Sequence, residues 1–313
     1  MIQENIDLNL YNTYKVGGVA EYFVKANTLL DLINAKQWAL ENNISINYIG
    51  RGSNLLIFSG IIEGLTIVNN IKGYSINNDT NVLTVNSGEC ISSLAMKLAK
   101  EGYSGLEWAA GIPGSIGGAI TMNAGAHSKC ISDVLIDTTV LSYKNNLLAF
   151  NNKELDFSYR NSNIQNSNYF VVEGRFQLQK ESKPGSALEK AKEYLEYRVN
   201  TQPYNQPSCG SVFRNPLNKQ CGKLIEDCLL KGFSFFGAEV STKHANFIIN
   251  QGDATGESIY TVMNFVEKTI KSKYNINLLK EVKLLGNPDE VCLLGYYNKE
   301  LNELFKKDSY IVS

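Results

Sequence analysis

The sequence predicts an α+β protein built in two lobes, and three observations predict it. Residues 105–126 carry one charged side chain, Glu107, and an unusual density of glycine. Residues 133–178 read as β-rich alternation broken by asparagine turns, for example Val134-Leu135-Ile136-Asp137-Thr138-Thr139-Val140. Beyond Gly185, apolar stripes at helical spacing return for roughly one hundred residues, enough for a core of their own. The expected division is 1–185 for the first lobe, with subdomains at about 1–70 and 71–185, then 186–290, then a tail at 291–313.

Thr28, with Asp31 three residues on, opens a helix through Asn42 that carries Leu29, Leu32, Ile33 and Leu40, and Ser45 to Ile49 reads as a strand. A strand at Val82 to Val85 leads to a second helix. There Ile91, Leu94, Ala95, Leu98 and Ala99 share one face, and Gly102 stands where a C-terminal cap is wanted. Tyr169 to Val172 is a further strand, and Lys180 to Gly185 is the linker. Ser186 to Glu189 has the form of a capping box for a helix reaching about Arg198, and the chain breaks at Gln202-Pro203 and Gln206-Pro207. The remaining expectations are a helix at about Asn218 to Lys231 closed by Gly232, a strand at Asn246 to Asn250, and a long helix striped by Ile259, Val262, Met263, Val266 and Ile270. Leu293, Leu294, Leu301 and Leu304 suggest a docked helix in the tail.

Composition narrows the function. Thirty basic against 31 acidic residues leave a net charge of −1, so no overall field draws nucleic acid or an anionic membrane. The opening Met1 to Asp7 has neither a basic leader nor an apolar run, and the glycine block is too polar for a bilayer span of roughly 20 residues, so a cytoplasmic location is expected. The six cysteines form no C-x-x-C pair and read as free thiols. His127 and His244 stand outside any ligand spacing, so no metal is expected.

The chemistry points to main chain. Five glycines between Gly111 and Gly125, with Pro113 stiffening the turn, free backbone to approach a ligand. Gly50-Arg51-Gly52-Ser53-Asn54, set between short apolar runs, has the same character. It is no dinucleotide fingerprint, because Leu55 stands where the third glycine belongs, and no Walker phosphate loop occurs. Backbone amides in such a turn still form a concavity for pyrophosphate, and two such loops suggest one dinucleotide-sized ligand.

Together the two loops resemble those of the FAD-binding fold of the vanillyl-alcohol oxidase type, in which two α+β subdomains clamp the dinucleotide. A narrower resemblance rests on many ordered segments. Asn12 to Gly18, Gly50 to Leu56, Gly105 to Glu107, Gly111 to Ala119, Met122 to Ala126 and Tyr159 to Ser162 lie in the first half. Pro207 to Pro216, Gly222 to Glu226, Gly237 to Ser241, Lys243 to Asn250 and Glu281-Val282 lie in the second. From about residue 5 to 286 the chain resembles the UDP-N-acetylenolpyruvoylglucosamine reductases, in the shorter subtype lacking a substrate-covering insertion. His127 to Cys130, Phe236 and the long tail depart from that pattern.

The resemblance implies non-covalent FAD, NADPH as co-substrate, and a C-terminal α+β domain that binds the enolpyruvyl ether of UDP-N-acetylglucosamine and forms UDP-N-acetylmuramate for peptidoglycan. By the same resemblance Arg160, Ser211 and Glu281 are catalytic. FAD would be held by Ile49, Gly50, Arg51, Gly52, Ser53, Asn54 and Leu55, by Gly111, Pro113, Gly114, Ser115, Gly117 and Gly118, and by Asn123, Gly125 and Val172. Substrate would meet Tyr159, Arg198, Arg214, Asn215, Lys243 and His244. A permanently charged fork such as Arg160 suits a carboxylate whose charge grows, and a hydroxyl within reach can give a basic enolate carbon its proton. Two alternatives stay open: an FAD-dependent oxidase of the same fold, which His127 would allow, and a sugar-nucleotide-binding protein that has lost turnover.

Overall fold

The computed structural model describes residues 2–165 and 167–287. The tail helix expected beyond residue 291 therefore lies outside the described residues. Helices here are α1 (Leu29–Glu41), α2 (Ile91–Lys100), α3 (Ile116–Thr121), α4 (Ser186–Thr201), α5 (Cys221–Asp227) and α6 (Gly256–Tyr274). None of them is long and apolar enough to cross a membrane.

In the first subdomain four strands lie in the order Gln3–Asp7, Val19–Ala26, Ile61–Asn69, Ile46–Ile49, with the last three parallel. α1 starts where the sequence says. The Thr28 hydroxyl accepts the Asp31 amide at 3.1 Å, and the Asp31 carboxylate accepts the Thr28 amide at 3.0 Å. Leu32, Ala35 and Ala39 of α1 then pack on Val24, Leu65 and Ile67 of the sheet.

In the second subdomain five antiparallel strands follow the order Leu147–Asn151, Leu135–Leu141, Phe170–Gln177, Val82–Asn86, Tyr74–Asn77. Ile91, Leu94, Ala95 and Leu98 of α2 are buried with Leu83, Val85 and Phe176 of this sheet, so the stripe read from the sequence is the face that packs.

Two expected helices differ. Gly185, with φ +83°, precedes α4, and Ser186 is its first residue and caps nothing. The Glu181 carboxylate does the capping instead, accepting the amides of Gly185 at 2.8 Å and Ala187 at 3.1 Å. α4 runs on to Thr201, past the expected Arg198. Only Cys221–Asp227 of the expected 218–231 helix forms, because the chain turns left-handed at Asn218 before it and at Leu229 and Gly232 after it.

The C-terminal lobe packs α6 on the antiparallel strands Ser234–Phe235, Ala238–Val240 and Ile248–Asn250. Its core is shared with the first subdomain: Tyr14, Val16, Leu56 and Phe58 are buried among Val262, Met263 and Val266. Strand Lys283–Leu285 pairs in parallel with Leu55–Ile57, the strand that leaves the first glycine turn. The Glu257 carboxylate accepts both the amide and the hydroxyl of Ser59 at 2.8 Å. These contacts fix the wall that carries Glu281 against the first glycine loop.

Candidate active site

The two glycine loops face each other across a cavity of about 510 Å³. The whole turn from Ile49 to Leu55 lines it, with Pro113, Gly114, Ser115, Gly117 and Gly118 opposite and Gly125 further along. Gly52 shows why the first loop needs a glycine. Its φ is +63°, and a Cβ there would stand 2.1 Å from the Tyr11 carbonyl oxygen. The Thr13 amide donates to the Gly52 carbonyl at 3.1 Å, which turns the loop's other polar groups toward the cavity. Among the described residues the amides of Arg51, Gly52, Ser53 and Asn54 donate to no protein acceptor, and neither do those of Gly114 and Ser115. Such rows of free donors form a nest for a diphosphate. A dinucleotide fits this donor set, and no carboxylate interrupts it.

At the other end the cavity meets Arg160, Ser211 and Glu281. Arg160 Nε lies 3.1 Å from a Glu281 carboxylate oxygen, and its Nη2 donates to the Gly125 carbonyl at 2.9 Å. One bond ties it to the C-terminal lobe and the other to the glycine block. Arg160 holds a left-handed φ of +55°, unusual for a residue with a side chain, and this loop is anchored from behind by Asn123. Asn123 donates to the Ser158 carbonyl and accepts the Ser132 amide, both at 3.1 Å.

Ser211 follows Gly210, itself at φ +81°, and its hydroxyl makes no hydrogen bond within the described chain. The segment after it is clamped by buried Asn246. The Asn246 carbonyl accepts the Val212 amide at 2.9 Å, and its side chain accepts the Phe213 amide at 3.0 Å and donates to the Phe213 carbonyl at 2.8 Å. The Glu281 amide donates to the Val212 carbonyl at 2.8 Å, so the serine and the glutamate ride on neighbouring stretches of backbone. Burial pushes the Glu281 carboxyl above its ordinary range, outweighing the opposite pull of Arg160 and Arg214.

Other expected residues stand further back. Arg198 lines the cavity, and burial brings its guanidinium down to about 10; a Cβ on Gly111 would meet the Arg198 side chain at 2.7 Å, so Gly111 makes room for it. The Tyr159 ring lies 5.2 Å from the Arg160 guanidinium carbon. Arg214 reaches Gln165 at 3.4 Å, with its Nε buried and unpartnered. Asn215 accepts the Cys221 amide at 2.9 Å and so starts α5, while Lys243 donates to the Val199 carbonyl at 2.6 Å. His244 accepts the Asn246 amide at 3.2 Å, and burial pushes its imidazole down. The Val172 side chain packs in the core between the first two sheets.

Three residues at the site escaped the sequence reading. Gln165 donates to the Arg160 carbonyl and takes Arg214 and Lys283 on its amide oxygen. Lys283 lines the cavity, two residues beyond Glu281 at the start of the strand Lys283–Leu285. Asn246 bore a signal, an asparagine opening an apolar run; Gln165 bore none, since its partners are remote in sequence.

Residues 20–148 match the FAD-binding domain family, and that stretch holds both glycine loops. The site thus defines an FAD-binding oxidoreductase of the two-subdomain, vanillyl-alcohol oxidase type. Residues 202–285, which hold Ser211 and Glu281, match the C-terminal domain of UDP-N-acetylenolpyruvoylglucosamine reductase. The reductase of that name from Trichormus variabilis is 41% identical over 280 residues, covering 89% of this chain and 85% of that one. The one from Acaryochloris marina is 41% identical over 286 residues, covering 91% and 93%. A crystal structure of the Thermus caldophilus reductase superposes with a TM-score of 0.77 at 27% identity, over 91% of this chain and 98% of the other. The chain belongs to the UDP-N-acetylenolpyruvoylglucosamine reductase family. Neither an oxidase nor a binding protein without turnover is favoured by these relatives.

Proposed function

We propose that Arg160, Ser211 and Glu281 carry the reaction and that the sugar nucleotide they act on is the enolpyruvyl ether of UDP-N-acetylglucosamine. The chain is an FAD-dependent oxidoreductase that consumes NADPH and forms UDP-N-acetylmuramate for peptidoglycan precursors. In this reading residues 1–185 hold FAD and residues 186–290 hold the sugar nucleotide, and we place the enzyme in the cytoplasm with its soluble co-substrates.

The observation that carries the assignment is the Arg160 to Glu281 pair, 3.1 Å apart, at the end of a cavity whose lining includes both glycine loops. Bound FAD supplies hydride chemistry, accepting from NADPH and giving to the alkene. The protein must then manage charge and a proton. Arg160 has N–H groups left after its bonds to Gly125 and Glu281, and a fixed guanidinium holds the substrate carboxylate as negative charge spreads into it. The Ser211 hydroxyl, uncommitted to any protein acceptor, protonates the carbon beside that carboxylate. Glu281, pushed toward its neutral form by burial, donates a hydrogen bond to the enolate oxygen at higher pH than a free glutamate could.

The test is a visible spectrum of the purified protein followed by NADPH consumption with and without the enolpyruvyl sugar nucleotide. A bound-flavin spectrum and substrate-dependent consumption are expected. A protein that takes up no FAD when given an excess, or that consumes NADPH at one rate with and without substrate, refutes the reading.

A further inference from the structure

We propose that Gln165 is a positioning residue for the reaction: its side-chain amide fixes the Arg160 backbone and seats Arg214 and Lys283 beside the catalytic groups. This rests on the placement of that reaction at Arg160, Ser211 and Glu281. Gln165 is half-buried and lines the catalytic cavity. All four hydrogen-bonding positions of its amide are taken. Nε2 donates to the Arg160 carbonyl at 3.2 Å and to Met122 Sδ at 2.9 Å, and Oε1 accepts from Arg214 Nη2 at 3.4 Å and from Lys283 Nζ at 3.3 Å. These partners come from four stretches of chain: the residue that ends α3, the loop of Arg160, the segment after Ser211 and the strand after Glu281.

The turn that presents Gln165 is itself anchored. Ser162 and Ile164 are buried, the Ser162 hydroxyl donates to the Thr121 carbonyl at 2.7 Å, and the Gln165 amide donates to the Ser162 carbonyl at 3.1 Å. A side chain held in this way can hold others in place. Arg160 needs such support, because its φ of +55° persists only where the surroundings over-determine it, and its carbonyl accepts no main-chain amide among the described residues. Arg214 and Lys283 need it as well. Among the described residues neither enters an ion pair, and Arg214 Nε is buried without a partner. Like charges that share one oxygen repel each other, so without that oxygen they part. An amide satisfied by four distant partners therefore specifies one arrangement of all of them.

The experiment compares FAD-loaded Gln165→Met and Gln165→Glu with wild type by anaerobic stopped-flow absorbance, each half-reaction by itself. Methionine keeps length and volume and removes every polar contact of the amide. Its bleaching by NADPH stays within about twofold of wild type, and its reoxidation by saturating enolpyruvyl sugar nucleotide slows by about 10–100-fold, the scale on which a displaced catalytic group loses rate. Glutamate keeps oxygens for Arg214 and Lys283 but has no N–H for the Arg160 carbonyl. Its reoxidation is slower than that of wild type, yet faster than that of the methionine variant by about threefold or more. A side chain that served stability alone would neither split the half-reactions nor rank the variants in this order. Reoxidation at wild-type speed in the methionine variant, equal slowing of both halves, or a glutamate variant no faster than the methionine one overturns the proposal. If the methionine variant fails to retain FAD, the glutamate variant decides: slowed reoxidation with normal bleaching upholds the positioning role, and wild-type speed in both halves overturns it. A wild-type enzyme that the enolpyruvyl substrate does not reoxidise would instead overturn the assigned reaction, which separates the two failures.

Discussion

Replacing Ser211 with alanine removes a hydroxyl and little else. That hydroxyl has no protein partner, while its neighbours Val212 and Phe213 are held by main-chain and Asn246 bonds of 2.8 to 3.0 Å that the substitution does not touch. The Glu281 amide bond to the Val212 carbonyl also survives. Stability should therefore change by less than about 0.5 kcal/mol, as for a site without buried contacts. With Ser211 as the proposed proton donor, the second half-reaction slows by about 10²–10⁴-fold, or ~3–5 kcal/mol of barrier. Anaerobic stopped-flow absorbance separates the halves: bleaching of the flavin by NADPH keeps its wild-type rate, and recovery of colour on adding the enolpyruvyl sugar nucleotide becomes slow. If both halves ran at wild-type speed, Ser211 would not be the donor. A slowing of both halves alike would show that the substitution disturbs the flavin pocket.

Three further perturbations have signed outcomes. Burial holds the Glu281 carboxyl above its free range, so its contribution to stability is present below the unfolded value of about 4.3 and is lost as pH rises through the folded value. Glu281→Gln should flatten the fall in melting temperature just above that pH and reduce turnover by about 10²-fold; an unaltered slope would contradict the burial argument. Gly52→Ala forces a Cβ to within 2.1 Å of the Tyr11 carbonyl at φ +63°, so it should cost about 2 kcal/mol or more and lower FAD retention, read by denaturation and by flavin absorbance. Lys36, buried and bonded to the Ser142 carbonyl at 2.6 Å, is held down to about 8. Its penalty is present below about pH 8 and vanishes toward the unfolded value of about 10.4, so Lys36→Met should stabilise the protein by about 1–3 kcal/mol at pH 7 and by less at pH 10, and an equal gain at both would refute the charge explanation.

Local signals carried well where they were complete in themselves. The Thr28 and Asp31 capping pair set the start of α1, and the stripe of Ile91, Leu94, Ala95 and Leu98 is the buried face of α2. They failed where a remote or backbone partner intervened. Ser186 had the form of a cap, but Glu181, on the preceding turn, took the amides first. The helix expected at 218–231 was cut to one short piece by left-handed residues on both sides.

The site divides along the same line. Glycine content marked the long block as ligand-facing, because a glycine-dense stretch poor in charge rarely serves only as a turn, while Gly50 to Asn54 taken alone read as an ordinary tight turn and gained its meaning beside that block; motif order marked Arg160, Ser211 and Glu281. Only the tertiary structure decided that a strand leaving Glu281 pairs with the strand leaving the first glycine loop, which sets an acid from the end of the chain 3.1 Å from an arginine of the middle. It also brought Gln165 between Arg160, Arg214 and Lys283, and buried Glu281 deeply enough to shift its proton affinity. Backbone freedom is written residue by residue and can be read in one dimension; desolvation and charge proximity depend on which distant segments share a core, and exist only once the chain has closed on itself.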